Sequence, residues 1–275
     1  MNFLEHGIER KEFVPRVPKF NEIILAATFA SNRHLNPEIK QIDLGSVAYE
    51  AQLLRDKTAN DPKRREAGKL ILIKNDNFPQ MGQPKVIIER EARFGEEGSI
   101  FSGVKIRKIK DIQIRRKVMK LQRQDLIIAA SLHTHRNGMP PSPEDMGRIM
   151  LNDIENIHAA ACVFVATPEL NYLVLRGPET PSLKQRDISA FIQAWEGKIQ
   201  KAWLKKIKEA PMLKLGKVFV KEILTRLLRE QYVNQEFSGL DAVIQQEILN
   251  QVIRNCGLLA FTGRADSPIV NRVTG

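Results

Sequence analysis

The apolar run Leu126-Ile127-Ile128-Ala129-Ala130-Ser131-Leu132 passes directly into His133-Thr134-His135, then Asn137-Gly138-Met139-Pro140-Pro141, then Ser142-Pro143-Glu144-Asp145. No other stretch restricts the fold as closely. The run reads as a buried strand and the Gly/Pro stretch as a turn. Ser142, with Pro143 and two acids behind it, reads as the N-cap and first turn of a helix. A strand must therefore end a few residues before a helix begins, with polar side chains gathered at the junction. Side chains at i and i+2 of a strand share a face, so His133 and His135, two of the chain's five histidines, can reach one point. A zinc ion (Zn2+) is the usual occupant of such a point. Asp145 would be the third ligand if the loop folds back, and three ligands with an open position is the arrangement of a catalytic zinc.

A His-x-His pair alone is weak evidence, since most such pairs lie on surfaces or serve structure. The downstream Ser-x-x-Asp and the preceding apolar strand change its weight. The helix cap is compatible with metal binding, because capping sets the direction of the carboxylate.

These residues resemble the JAMM motif of the MPN/JAB family of zinc-dependent isopeptidases: an upstream glutamate, His-x-His, then a serine and an aspartate three residues later. His133 and His135 match the histidine pair, Ser142 the serine and Asp145 the aspartate. The chain departs from the pattern twice. Arg136 stands where the family usually has proline, and the six residues between His135 and Ser142 are one fewer than is usual. The resemblance implies a catalytic glutamate at the opening of the first core strand, and Glu66, just ahead of Ala67-Gly68-Lys69-Leu70-Ile71-Leu72-Ile73, fits it. Glu89 and Glu91, on the next strand candidate, are the competing acids, while Glu50 reads as helical. The resemblance further implies zinc held by His133, His135 and Asp145, Glu66 as the base, and Ser142 donating to a developing oxyanion. The implied activity is cleavage of an isopeptide or peptide bond in a protein substrate, at the tail of a ubiquitin-like or sulfur-carrier protein. RadC-like proteins of bacteria carry a similar motif, which leaves a non-catalytic scaffold or nucleic-acid module as the alternative.

The net charge of +11 bears on that alternative. Much of it falls on segment 105–123, where Lys105, Arg107, Lys108, Lys110, Arg115, Arg116, Lys117, Lys120 and Arg123 are opposed only by Asp111. A nucleic acid or an acidic protein surface would suit such a segment. Aromatic residues are only 6% of the chain, so base-stacking platforms are poorly supplied. Cys162 and Cys256 lie far apart without CxxC spacing, so no disulfide framework is implied. The opening Met1–His6 lacks the profile of a signal peptide, and no apolar run is long enough to span a bilayer. A cytoplasmic location is expected.

The order of elements predicts an α+β fold: a mostly antiparallel sheet flanked by helices, similar to the MPN/JAB and cytidine-deaminase-like layering. Residues 1–42 read as a partly ordered lead-in and 43–178 as the JAB/MPN-like domain. That domain has a helix from Asp43 to about Thr58 and strands at Lys69–Ile73, Lys85–Arg90, Ile100–Ile106, Leu126–His133, Ala160–Ala166 and Tyr172–Leu175. A basic helix is expected near Gln113–Gln124. Gly177-Pro178-Glu179-Thr180-Pro181 punctuates the chain, and 182–275 reads as a helical appendage. Its amphipathic stretches are the four-residue recurrence Phe191, Trp195, Ile199, Trp203, Ile207, then Val218–Arg229 and Leu240–Asn255. Ser267–Gly275 reads as a loose tail.

Overall fold

Continuous apolar runs such as Cys162-Val163-Phe164-Val165 and Tyr172-Leu173-Val174-Leu175 are buried only when both faces of their sheet are covered. The computed structural model has this arrangement and describes residues 16–29, 38–63, 65–74, 85–94, 126–136, 138–150, 162–209 and 246–273. In chain order its elements are α1 (Phe20–Phe29), β1 (Gln41–Asp43), α2 (Ser46–Ala59), β2 (Ala67–Lys74), β3 (Lys85–Ile88), β4 (Arg93–Phe94) and β5 (Leu126–Thr134). There follow α3 (Pro143–Met150), β6 (Cys162–Ala166), β7 (Leu170–Arg176), α4 (Gln185–Glu209), β8 (Leu258–Arg264) and β9 (Ile269–Arg272). Residues 246–255 are also helical.

Among the described residues, nine strands form one mixed sheet in the order β1-β9-β8-β7-β6-β5-β2-β3, with β4 also paired to β2. All pairings are antiparallel except β5 with β6. A parallel neighbour requires a crossover, and α3 lies on that crossover. On one face α1 and α2 pack over Phe164, Leu173, Leu175, Phe261 and Ile71. On the other, α3, α4 and the helical residues 246–255 pack over Val163, Val165, Tyr172, Val174 and Ala260. The α+β class and the buried central strands accord with expectation.

Three parts of the sequence reading change. The lead-in contains α1, whose Phe20, Ile23, Ile24 and Ala27 all enter the first core. Their spacing is a helical stripe within the stretch that had read only as a partly ordered lead-in. Asp43 closes a short strand, and the helix expected from it begins at Ser46. The region after 182 is not wholly helical, and 267–275 is not a loose tail: β8 pairs with β7, and β9 joins β8 to β1. A helix stops at Gly257, whose left-handed φ of 58° favours glycine, and the short run Leu258-Leu259-Ala260-Phe261 turns back along β7. A run this short does not reveal its type by periodicity, and its partner strand lies far away in sequence. The expected strand at 100–106, the basic helix near 113–124, the basic segment 105–123 and the stretch 218–229 lie outside the described residues. Among the described residues, no helix is long and apolar enough to cross a membrane.

Arg55 of α2 is buried against the β6–β7 turn. Its guanidinium donates to the Thr167 carbonyl (2.6 Å), the Ala265 carbonyl (3.4 Å) and the Asn171 side-chain oxygen. It thereby ties the β6–β7 and β8–β9 turns to α2. Burial lowers its pKa, yet arginine remains charged, so its acceptors have to be kept. Arg55→Met is expected to cost about 2–4 kcal/mol, the loss of charge-assisted bonds plus stranded carbonyls. Urea denaturation would measure it as a lower midpoint at unchanged slope.

Candidate metal centre

The site forms where β5 ends beside β6. His133 pairs with Gly68 of β2 on one side and Val165 of β6 on the other. The ladder continues past the strand, because the His135 N–H donates to the Ala166 carbonyl at 3.1 Å. Residues 133 and 135 thus keep extended geometry and share a face. That face is chosen by a β-bulge. The β2–β5 register shifts between Ile71, opposite Ala130, and Leu72, opposite Ile128. Ile127 and Ala129 before the shift, and Ala130 and Leu132 after it, all face the first core. Simple alternation would have put Ser131 and His133 into that core with Ile127. The extra residue turns them to the face where α3 lies.

α3 brings the third group. The Ser142 hydroxyl accepts the Asp145 N–H (3.2 Å), and both the Ser142 N–H and its hydroxyl donate to Asp145 Oδ2 at 2.9 Å. This is a reciprocal capping box with aspartate in the usual place of glutamate or glutamine. It aims the carboxylate at the histidines. The one hydroxyl proton of Ser142 lies on Asp145, so donation to a substrate oxyanion would require that side chain to turn.

The three side chains converge, with one donor atom of each within 4.8 Å of the others. His133 Nε2 lies 3.2 Å from His135 Nε2 and 3.4 Å from Asp145 Oδ1, and His135 Nε2 lies 3.6 Å from Asp145 Oδ2. A tetrahedral ion with ligands at about 2.0–2.1 Å holds its donors about 3.3–3.4 Å apart, so the residues fit a metal ion. All three side chains are buried, and three lone-pair-bearing atoms this close in low dielectric repel unless a cation or proton lies among them. His135 Nδ1 lies 3.0 Å from the Met139 carbonyl and 3.1 Å from that of Pro140. Donation there places the ring proton on Nδ1 and leaves Nε2 free to ligate, the usual outer support of a metal-bound histidine. Among the described residues no other group of three His, Cys, Asp or Glu side chains converges in this way.

Of the four candidate glutamates, Glu66 is the one whose charge is coupled to this group. It directly precedes β2 and is half-buried. Burial pushes its carboxyl pKa up, His135 opposes that, and Asp145 adds to it; a bound dication would pull it down. The Glu89 carboxylate accepts the Leu70 N–H at 3.0 Å, Glu50 holds Lys69 at 2.6 Å on the α2 side, and Glu91 is exposed. Arg136 is half-buried, and among the described residues its Nη1 has no acceptor.

Two features ahead of Glu66 escaped the sequence reading. Asp61 accepts the Arg65 N–H at 2.7 Å and pairs with its guanidinium at 3.0 Å, while that guanidinium lies 4.7 Å over the Phe94 ring. The Arg65 guanidinium holds the Asp61 carboxyl below its ordinary pKa. A depressed carboxyl stabilises the fold fully above its ordinary pKa and loses that contribution as pH falls through the lower folded value. The stability difference between wild type and Asp61→Asn should therefore be complete at neutral pH and vanish as pH drops below about 4; denaturation over a pH series would test this. The second feature joins Thr58 of α2, Thr134 and the backbone of Ala67. The two hydroxyls lie 2.7 Å apart, the Ala67 N–H reaches Thr134 Oγ1 at 2.9 Å and Thr58 Oγ1 at 3.2 Å, and Thr134 donates to the Ala67 carbonyl at 3.2 Å.

Comparison with protein-family models, with curated proteins and with solved structures gives no match for this chain.

Proposed function

We propose that this chain is a zinc-dependent hydrolase of the JAMM type, cleaving an isopeptide or peptide bond at the tail of a ubiquitin-like or sulfur-carrier protein. The convergence of His133, His135 and Asp145 carries this reading: the two Nε2 atoms lie 3.2 Å apart, one 3.4 Å from Asp145 Oδ1 and the other 3.6 Å from Asp145 Oδ2. Two imidazoles and one carboxylate, with a fourth position left to solvent or substrate, are the donor set of a catalytic rather than a structural zinc. When bound, the ion would supply Lewis-acid polarisation and an acidified water with a pKa near about 7.

The protein's own residues supply the rest. Glu66 accepts the proton of the attacking water on its carboxylate and returns it to the departing amine nitrogen, so one water divides into a new carboxylate and a protonated amine. Its partial burial and the nearby Asp145 charge favour proton uptake, which supports this role. Ser142 keeps the Asp145 carboxylate aimed. The substrate class rests on the motif resemblance alone.

The test is hydrolysis of an isopeptide-linked ubiquitin-like conjugate by zinc-loaded protein. Cleavage abolished by a chelator, restored by added zinc and absent in His135→Ala supports the reading. Cleavage that persists without metal, or a zinc-loaded protein inert toward isopeptide, peptide and small-amide substrates alike, overturns it.

A further inference from the structure

The threonine between the two histidines is turned away from the metal centre, into a closed set of hydrogen bonds whose protons can be assigned. Thr134 Oγ1 has one proton, and the Ala67 carbonyl accepts it at 3.2 Å. The contact of 2.7 Å between the hydroxyls is then Thr58 donating to Thr134. The Ala67 N–H completes the set by donating to Thr134 at 2.9 Å, with Thr58 as a longer second acceptor at 3.2 Å. Thr58, Thr134 and Ala67 are 3%, 1% and 0% exposed, so water does not compete for these bonds.

Ala67 is the residue after Glu66, and Thr134 is flanked by His133 and His135. Both polar groups of the Ala67 peptide backbone are therefore held by the one side chain that lies between the two histidines on the opposite face of the strand. On the far side Arg65 is held by Asp61. Glu66 is thus clamped through its neighbours. The first clamp springs from the segment that carries the histidines.

We infer that Thr134, braced by Thr58, is a positioning residue: it fixes the distance and direction of the Glu66 carboxylate relative to the metal ligands. This rests on the proposed role of Glu66 and deepens it. The clamp is built only from groups facing α2, so it can be removed without touching a ligand atom. A valine at 134 keeps the β-branched shape and loses both the proton and the acceptor. A serine keeps both.

Thr134→Val and Thr134→Ser would be compared with wild type in three measurements: bound zinc, hydrogen exchange of the Ala67 amide, and steady-state kinetics on the isopeptide conjugate. In Thr134→Val we expect zinc content unchanged and the Ala67 amide exchanging faster while Ile71 and Ile73 stay protected. We expect kcat to fall about 10- to 100-fold, the cost of displacing a reacting group by roughly 1 Å, with KM little changed. Thr134→Ser should restore both exchange protection and kcat. Unchanged Ala67 exchange in Thr134→Val overturns the clamp, and so does loss of zinc in parallel with kcat, which would make the hydroxyl a support of the metal site instead. Faster exchange with full kcat would also overturn the inference. If wild-type protein hydrolyses no substrate, the proposed function fails, and the exchange and zinc results still decide whether Thr134 holds the backbone beside Glu66.

Discussion

Glu66→Gln is expected to bind zinc as wild type does and to lose turnover by about 10²–10⁴-fold, the usual contribution of a general acid–base group. The substitution is close to isosteric, and Glu66 makes none of the three contacts among His133, His135 and Asp145, so the metal should be undisturbed. The amide cannot take a proton from water, and that step alone should suffer. Because the amide also removes a half-buried carboxylate beside Asp145, the variant should be no less stable than wild type. Single-turnover kinetics with metal content measured on the same sample would show it. Wild-type turnover from the zinc-loaded variant would return the role of base to Glu89, Glu91 or a group outside the described residues.

Asp145→Asn should produce the second large effect, on metal binding itself. Asparagine can still cap α3, since its side-chain oxygen can accept the Ser142 N–H that Asp145 now accepts at 2.9 Å. The local fold should therefore survive. What is lost is the one anionic donor among two neutral imidazoles. Outer-shell partners typically change metal affinity about 10- to 100-fold, and removal of this inner donor should exceed about 100-fold. Thermal unfolding offers an independent reading. Zinc at about 100 times its wild-type Kd should stabilise wild type by about 2.7 kcal/mol and Asp145→Asn by less than about 0.4 kcal/mol.

How much of this could be read in the sequence depends on whether the cause was local. His133, His135, Ser142 and Asp145 lie in one strand–turn–helix, and period-2 geometry with capping chemistry suffices to bring them together. Glu66 needed a long-range pairing, Gly68 opposite His133, which only a resemblance could suggest. The bulge at Ala129–Ala130 was not legible, because an apolar run of alanines and isoleucines carries no mark of where the register slips. The strands β8 and β9 were missed because their partners lie far away in the chain. Thr58 and Thr134 were missed because a threonine on a strand or helix usually signifies nothing beyond packing. Their role depends on Ala67 passing between them.

The central claim is that one cation joins His133, His135 and Asp145. X-ray absorption at the zinc edge of the purified protein tests it most directly, since it reads both occupancy and donor set. We predict about one zinc per chain, two imidazoles, and only nitrogen and oxygen neighbours at about 2.0–2.2 Å. Absence of zinc after reconstitution, or a sulfur shell at about 2.3 Å implicating Cys162 or Cys256, would contradict the account.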